Sequence, residues 1–283
     1  EIIFHLAAQS LVKKSYLNPI ETFMTNSIGT LNLLKASKLS KNLKALVMIT
    51  SDKVYKNIEI KRGYKENDII MGIDPYSASK SCAEIIINMY LKSFVSKKKL
   101  NICVVRAGNV IGGGDWSENR IIPDVIRQWS KSQTLKIRNP KSTRPWQFVL
   151  EPLGAYLFIG SILLKKKNNI NFQNFNVGPR KNINKNVIDL IKLIKKDLKN
   201  LNYKIIRDKS DKEAKLLRLN CNKIYKSIGW KPIYNFEQTI NNTILWYKNY
   251  YFKKNNMYDF SVKQITSYIK IAQKKKNSWL KNG

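Results

Sequence analysis

"DPYSASKSCAE" (residues 74–84) reads as the opening of a helix. Asp74 can accept from the first free backbone N–H groups, and Pro75 fits the first turn, where a missing N–H costs nothing. Helical spacing then puts Tyr76 and Lys80 on one face, one turn apart, with Ser77, Ala78 and Ser79 between them. A tyrosine four residues before a lysine is by itself compatible with a plain surface helix and a solvated lysine. What surrounds the pair decides its meaning.

Ahead of it, "EIIFHLAA" (1–8) and "KALVMIT" (44–50) read as buried strands. The helix between them opens at Asn18-Pro19 and carries Ile20, Phe23, Met24, Ile28 and Leu31 at helical period. Residues 51–75 form a polar loop. The helix predicted over 76–96 offers Ile85, Ile86, Met89 and Tyr90 for packing. Then come the strand "NICVVRA" (101–107), the loop "GNVIGGGDWSENR" (108–120) and a helix from about Pro123 to Lys131. Strands alternating with amphipathic helices predict an α/β fold with a doubly wound parallel sheet covered on both faces.

After about residue 135 the pattern changes. Short strands at "TLKIR" (134–138), "FQNFNVG" (172–178) and "YKIIRD" (203–208) are separated by helices near 152–165, 184–199 and 236–251. The expected division is a first domain over 1–135 and a smaller α/β lobe over 136–283, interleaved with the first. The tail, 260–280, is predicted as one amphipathic helix with Phe260, Ile265, Ile269 and Ala272 on a face.

Composition bounds the possibilities. The chain has 283 residues, 43% of them hydrophobic, which is enough for a proper core. No apolar run reaches the ~20 residues of a membrane span, and no charged-then-apolar leader is seen, so no membrane partner is expected. Three cysteines (Cys82, Cys103, Cys221) without a CxxC suit reduced thiols in a cytoplasm. One histidine, His5, leaves too few for a histidine-rich zinc site or a histidine triad. The net charge of +33 has two readings. One is a binder of nucleic acid through its phosphates. The other is a lysine-rich bias spread over every solvated face, with the runs at 97–99, 165–167 and 274–276 falling at helix ends or in loops. The second reading predicts no nucleic-acid partner.

In an open parallel sheet, ligands gather at the carboxyl ends of the strands. Here those ends are His5-Leu6-Ala7-Ala8-Gln9, Thr50-Ser51-Asp52-Lys53 and Arg106-Ala107-Gly108-Asn109, all converging on Tyr76. "HLAAQ", "SDKVY", "YSASK" and "RAGNVIGGGDW", in this order and spacing, resemble the extended short-chain dehydrogenase/reductase family, sugar-nucleotide branch. "RNPKSTRPWQFV" (138–149), "FNVGP" (175–179), "EAKLLRL" (213–219) and "IGWKP" (228–232) with "TILWY" (243–247) follow the order of that branch's carboxyl-terminal lobe. The resemblance covers nearly the whole chain. Ser51-Asp52-Lys53 stands where many relatives carry an acidic third residue, which places the chain nearest the CDP-sugar members.

The resemblance implies a Rossmann-like first domain, NAD as cofactor and CDP-glucose as substrate. The implied activity is a hydro-lyase: dehydration to the 4-keto-6-deoxy sugar nucleotide, for deoxysugar and polysaccharide synthesis such as lipopolysaccharide O-antigen. The same family also holds other 4,6-dehydratases and 4-epimerases. Tyr76 is implied as the base at the 4-hydroxyl, with Lys80 stabilising its phenolate and Ser51 hydrogen-bonding beside it. Lys53 is the expected base at carbon 5 and Asp52 the acid for the 6-hydroxyl. An unperturbed tyrosine titrates near pH 10, so nearby positive charge is what makes it usable at neutral pH. Ala7, Ala8, Gln9 and Thr50 are implied at the cofactor, together with Tyr76 and Lys80. Asn109, Arg120, Asn139 and Arg144 are implied at the nucleotide diphosphate, where arginine suits bidentate contacts. Gly112-Gly113-Gly114 reads as a flexible substrate loop, and Trp116 and Trp146 as core packing or base stacking. A homodimer or higher homo-oligomer is implied, through the helix opening at Asn18 and the Tyr76 helix, with Phe23, Ile87 and Phe94 as surplus apolar residues.

Two departures stand out. No G-x-x-G-x-x-G is present, so the chain reads as a fragment without the family's first βα units. Lys212 also stands before Glu213-Ala214 where the branch usually has histidine.

Overall fold

The computed structural model describes residues 1–95, 100–165, 170–179, 185–206, 216–253 and 256–280. Lys97–Lys99, Lys166, Lys167 and the Lys212-Glu213-Ala214 segment lie outside these residues.

Four parallel strands form the central sheet, in the order β1 (Ile2–His5), β2 (Ala45–Ser51), β3 (Asn101–Ala107) and β4 (Asn174–Val177). Register pairs Ala45 with Asn101 and Ser51 with Ala107. Side chains alternate between faces along a strand, and here both faces are buried. Ala45, Val47, Cys103 and Val105 pack against the helix Leu150–Lys165 and the Ile224–Trp230 region. Leu46, Met48, Ile102 and Val104 pack on the other face, with Leu34, Ile87 and Tyr90 from the helices Gly29–Leu39 and Pro75–Phe94. This is the doubly covered α/β sheet that the alternating pattern predicts.

The helix predicted to open at Asn18-Pro19 runs from Pro19 to Leu39 but widens into a π-helical turn over Met24–Ile28. Such turns swell a helix by a residue and often mark functional positions. This one presents Asn26 and Ser27, both buried, to Ser79 on the Tyr76 helix.

Core clusters do not divide at a single point in the chain. Residues 155–177 and 221–230 complete the core of the first sheet, through β4 and its covering helices. Residues 111–137 pack instead with Leu190–Leu201 and Ile240–Tyr247 in a second core. The surplus apolar residues also need a correction. Ile87 is 1% exposed and belongs to the core, where truncation to Ala typically costs about 2–5 kcal/mol. The outward positions are Ile85 and Met89, alongside Phe94 and the stripe Ile20, Met24 and Ile28. In the tail, the helix Met257–Lys274 buries Tyr268 and Ala272, while Ile265 stays exposed. No helix among the described residues is long and apolar enough to cross a membrane.

Candidate active site

β2 ends in Ser51, whose hydroxyl accepts from the Lys53 N–H at 3.2 Å and so caps one 3₁₀ turn, Asp52–Val54. The turn buries Asp52 and leaves Lys53 partly exposed. Ser51 Oγ donates to Asp52 Oδ1 at 3.2 Å, while Asp52 Oδ2 is buried with no hydrogen-bond partner. Burial pushes the Asp52 carboxyl up to about 6, against the opposing pull of Lys53, Ser51 and Arg144. An acid of that strength can hold a proton near neutrality.

The helix Pro75–Phe94 starts as its sequence dictates. Asp74 accepts from the Ser77 N–H at 3.0 Å and Pro75 occupies the first turn. Tyr76 and Lys80 are both buried at the strand tips. Burial pushes the Tyr76 phenol up to about 12; the Ser51 hydroxyl and the charge of Arg120 draw it down, while Asp52 and Asp74 push the other way. Burial draws the Lys80 ammonium down to about 8, with the charge of Glu84 opposing. His5, half-buried at the end of β1, is lowered by burial and by the Lys80 charge, so the β1 tip faces this pair too.

Beyond β1, Ala7 is exposed, Ala8 half-buried and Gln9 buried. Gln9 is held on both sides of its backbone by Asn26, which accepts from its N–H at 2.8 Å and donates to its carbonyl at 3.0 Å. Asn26 also donates to Ser79 Oγ at 2.9 Å. The segment after β1 is thus pinned to the Tyr76 helix through the π-helical turn. Sequence reasoning missed Asn26, which stands in the polar run Thr25-Asn26-Ser27 between the apolar positions of the helix.

A second cluster was also missed. Glu84, one turn beyond Lys80, accepts from Thr50 Oγ1 at 2.6 Å and from Arg106 at 2.5–3.0 Å. Arg106 Nη1 donates to Tyr55 Oη at 2.7 Å and to the Glu66 carbonyl at 2.9 Å, and Tyr55 donates on to Asn176 Oδ1 at 2.6 Å. Burial opposes the Arg106 charge, but Glu84 and Tyr55 more than offset it and hold the guanidinium above its ordinary value. Period-2 geometry explains the meeting. Thr50 and Arg106 are cross-strand partners on the face turned toward the Tyr76 helix, where Leu46, Met48, Ile102 and Val104 are apolar.

The residues expected at the nucleotide diphosphate lie beyond the tip of β3. The Asn109 carbonyl accepts from the Gln147 N–H at 2.9 Å, joining the β3 tip to the Thr143–Phe148 arm. Pro145 lies so close to Gly108 that a side chain there would meet it at 2.7 Å. Arg144 is buried and its charge reaches Asp52. Arg120 donates to Asp115 Oδ2 at 3.0 Å and to Ser10 Oγ at 2.7 Å, and its charge reaches Tyr76. Asn139 Nδ2, Trp146 Nε1 and Gln147 Oε1 are buried without partners. Trp146 is core, whereas Trp116 is half-exposed among Trp246, Tyr247, Tyr250 and Tyr251. The triple glycine is a packing device: a side chain at Gly113 would fall 2.0 Å from the Trp246 ring, and Gly114 sits at φ +78°.

A doubly covered parallel sheet with a tyrosine–lysine helix across its strand tips has the Rossmann-type architecture of the short-chain dehydrogenases. The crystal structure of a dTDP-glucose 4,6-dehydratase from Streptomyces venezuelae, solved with NAD bound, superposes with a TM-score of 0.75 at 20% identity, over 88% of this chain and 73% of that one. Residues 1–243 match the family described as GDP-mannose 4,6 dehydratase. The CDP-glucose 4,6-dehydratase of Salmonella typhimurium is 39% identical over 275 residues, 95% of this chain and 76% of that protein. The dTDP-D-glucose 4,6-dehydratase of Dictyostelium discoideum is 28% identical over 88% of this chain and 64% of that one. The chain belongs to the GDP-mannose 4,6 dehydratase family.

Proposed function

We propose that the protein removes water from CDP-glucose to give CDP-4-keto-6-deoxyglucose, with NAD as cofactor. The observation that carries this reading is Asp52, a buried carboxyl with an unpartnered oxygen and a raised affinity for its proton, next in the chain to the Ser51 hydroxyl that acts on Tyr76. An acid and a base at one strand tip are what an elimination needs.

The donor set fits the nicotinamide end of the cofactor. Thr50, Tyr76 and Lys80 line the strand tips, and the small residues Ala7 and Ala8, with Gln9, let backbone approach a ring. The glycine-rich pyrophosphate loop is not among these 283 residues. When bound, NAD supplies the acceptor for hydride from carbon 4 and its donor to carbon 6.

Tyr76, as phenolate, takes the proton of the 4-hydroxyl, with Ser51 hydrogen-bonding at the same oxygen. Because burial works against that phenolate, the Ser51 hydroxyl and the charge of Arg120 draw it down, and Lys80, one turn along the same helix, supplies a further cation. The ketone acidifies carbon 5. Lys53 takes that proton while Asp52 gives its own to the departing 6-hydroxyl, releasing water, and Lys53 then returns the proton to carbon 5. Arg144, whose charge reaches Asp52, and Arg120, beside Tyr76, hold the diphosphate together with Asn109 and Asn139.

The protein assembles as a homodimer. Ile20, Met24 and Ile28 on one helix and Ile85 and Met89 on the next are exposed at four-residue spacing, an apolar stripe that a second copy covers. A cytoplasmic place, where the sugar nucleotide is made, accords with the three free cysteines.

Incubation with CDP-glucose and NAD, followed by mass spectrometry of the nucleotide, tests the reading. Loss of one water is expected. A product of unchanged mass would mean a 4-epimerase and would remove Lys53 and Asp52 from the chemistry.

A further inference from the structure

Among the described ion pairs, Glu84–Arg106 alone has both side chains fully buried. Such a pair is a poor source of stability, because desolvating both charges cancels most of their attraction, and apolar residues of similar size often serve as well. Its position suggests a different task. Apart from the bond to the Glu66 carbonyl, its bonds end at or close to site residues. Thr50 directly precedes Ser51-Asp52-Lys53, and Tyr55 lies two residues beyond Lys53. Arg106 itself is two residues before Gly108-Asn109 on β3. On the helix, Tyr76, Lys80 and Glu84 follow one another at single-turn intervals along one side.

We propose that Glu84 is a positioning residue: gripped by Arg106 and Thr50, it fixes the helix that carries Tyr76 and Lys80 against the tips of β2 and β3, and it holds a negative charge one turn from Lys80. This rests on the dehydratase reading above. Helix position follows because four hydrogen bonds from two strands meet one carboxylate, leaving neither a slide along the axis nor a roll about it. Charge follows because Lys80 is buried, and burial by itself favours its neutral amine. The groups facing Lys80 are Glu84 and Tyr76 on its own helix and His5 on β1. Those facing Glu84 are Arg106 and Thr50, with Tyr55 and Glu66 behind Arg106. Removing the Glu84 charge takes away the charge that opposes burial at Lys80, so Lys80 loses its proton at lower pH and the phenolate loses its cation.

The test uses the full chain with NAD and CDP-glucose, in single turnover, across pH. Glu84→Gln keeps the shape and a hydrogen bond to Arg106 but removes the charge. The alkaline limb of carbon-4 oxidation should move down by about one pH unit, with a roughly tenfold lower rate near pH 8, and the KM for the sugar nucleotide should not change. Glu84→Asp keeps the charge but shortens the grip; it should slow the reaction with the limb in its original place. An unpaired Arg106 can itself unfold the chain, so the pair is also replaced together, Glu84→Gln with Arg106→Met. That double variant should melt close to the parent yet keep the slow rate and the displaced limb. A folded double variant with parental rate and pH profile overturns the proposal and makes the pair mere filler. Tyr76→Phe, run alongside, separates the two failures. If the parent itself does not convert CDP-glucose, the dehydratase reading has failed; if Tyr76→Phe is dead and Glu84→Gln is unaffected, only the role of Glu84 has.

Discussion

The strand-tip side and the arm after β3 are finished to different degrees. On the sheet side, Thr50, Glu84, Arg106, Tyr55 and Asn176 form an unbroken chain of partnered groups, and Asn26 locks Gln9 to Ser79. On the arm from 139 to 147, Asn139 Nδ2, Trp146 Nε1 and Gln147 Oε1 are buried and unpaired. A buried polar atom without a partner costs about 1–3 kcal/mol, so the arm keeps a debt that a polar ligand can settle. The contrast teaches where each task belongs. On the proposed reading, the groups assigned to proton transfer are set in place beforehand by strands and a helix, while those assigned to the nucleotide are left with capacity to spare. Asp52 Oδ2 is the exception on the sheet side, buried without a partner, and it is the oxygen that the proposed function assigns to the leaving hydroxyl.

Substitutions on the preset side should have the largest effects. Tyr76→Phe removes the base at the first step, so turnover should fall by roughly 10³- to 10⁴-fold with little change in KM. Lys53→Ala should cost on the order of 10²- to 10³-fold, and it should fail at a different place. A borodeuteride quench of a single turnover should trap deuterium at carbon 4 of the sugar with Lys53→Ala and none with Tyr76→Phe. If both trap none, Lys53 does not act after the oxidation.

Asp52→Asn should slow dehydration by about 10²-fold and change stability in a direction that pH reveals. The folded-state value of about 6 lies above the ordinary carboxylate value of 3.8, so the native state favours the protonated acid. The stability that goes with that proton is fully present below the ordinary value and is lost as pH rises through 6. Asp52→Asn should therefore melt higher than the parent near pH 8, by on the order of 2–3 kcal/mol. The gap should close as pH falls toward 4. A variant that is less stable than the parent near pH 8 would show that Asp52 is held as a paired anion.

Effects on the arm should be smaller and should appear in binding. Arg144→Lys loses the fork geometry while keeping the charge, and should raise KM by roughly tenfold with kcat nearly unchanged. Smallest of all, Trp146→Phe removes an unpaired indole N–H from the second core and should shift stability by about 1 kcal/mol or less.

The same contrast explains what could be read in the sequence. Strand β3 and the start of the Tyr76 helix were legible because each carries a local signal: a run of β-branched residues over 101–107, and an Asp-Pro cap at 74–75. The strand tips were legible because a parallel sheet gathers them at one edge. Glu84, Arg106 and Tyr55 were not, since their meeting joins positions far apart in the chain through strand register. A trace was present, though: Thr50 and Arg106 break an apolar face at its last inward position, where a buried polar residue needs a partner. Ile87 was misassigned outward because helical period gives a face but not its neighbours, and the sheet behind it takes that face first.

The edge strand β4 has a consequence for how the molecule comes into being. β3 is complete at Ala107, but its partner arrives only with Asn174–Val177, after the whole 108–173 stretch has been made. Pairings between distant segments form slowly, because the loop must close before any contact rewards it. Until then β3 presents an open edge, the usual template for unwanted pairing between chains. Asn176 also carries the hydrogen bonds that anchor Tyr55 Oη and the Tyr64 carbonyl. The strand that closes the sheet therefore also completes the scaffold beneath Arg106, and refolding yield should fall as protein concentration rises, because competence waits for the last strand to dock.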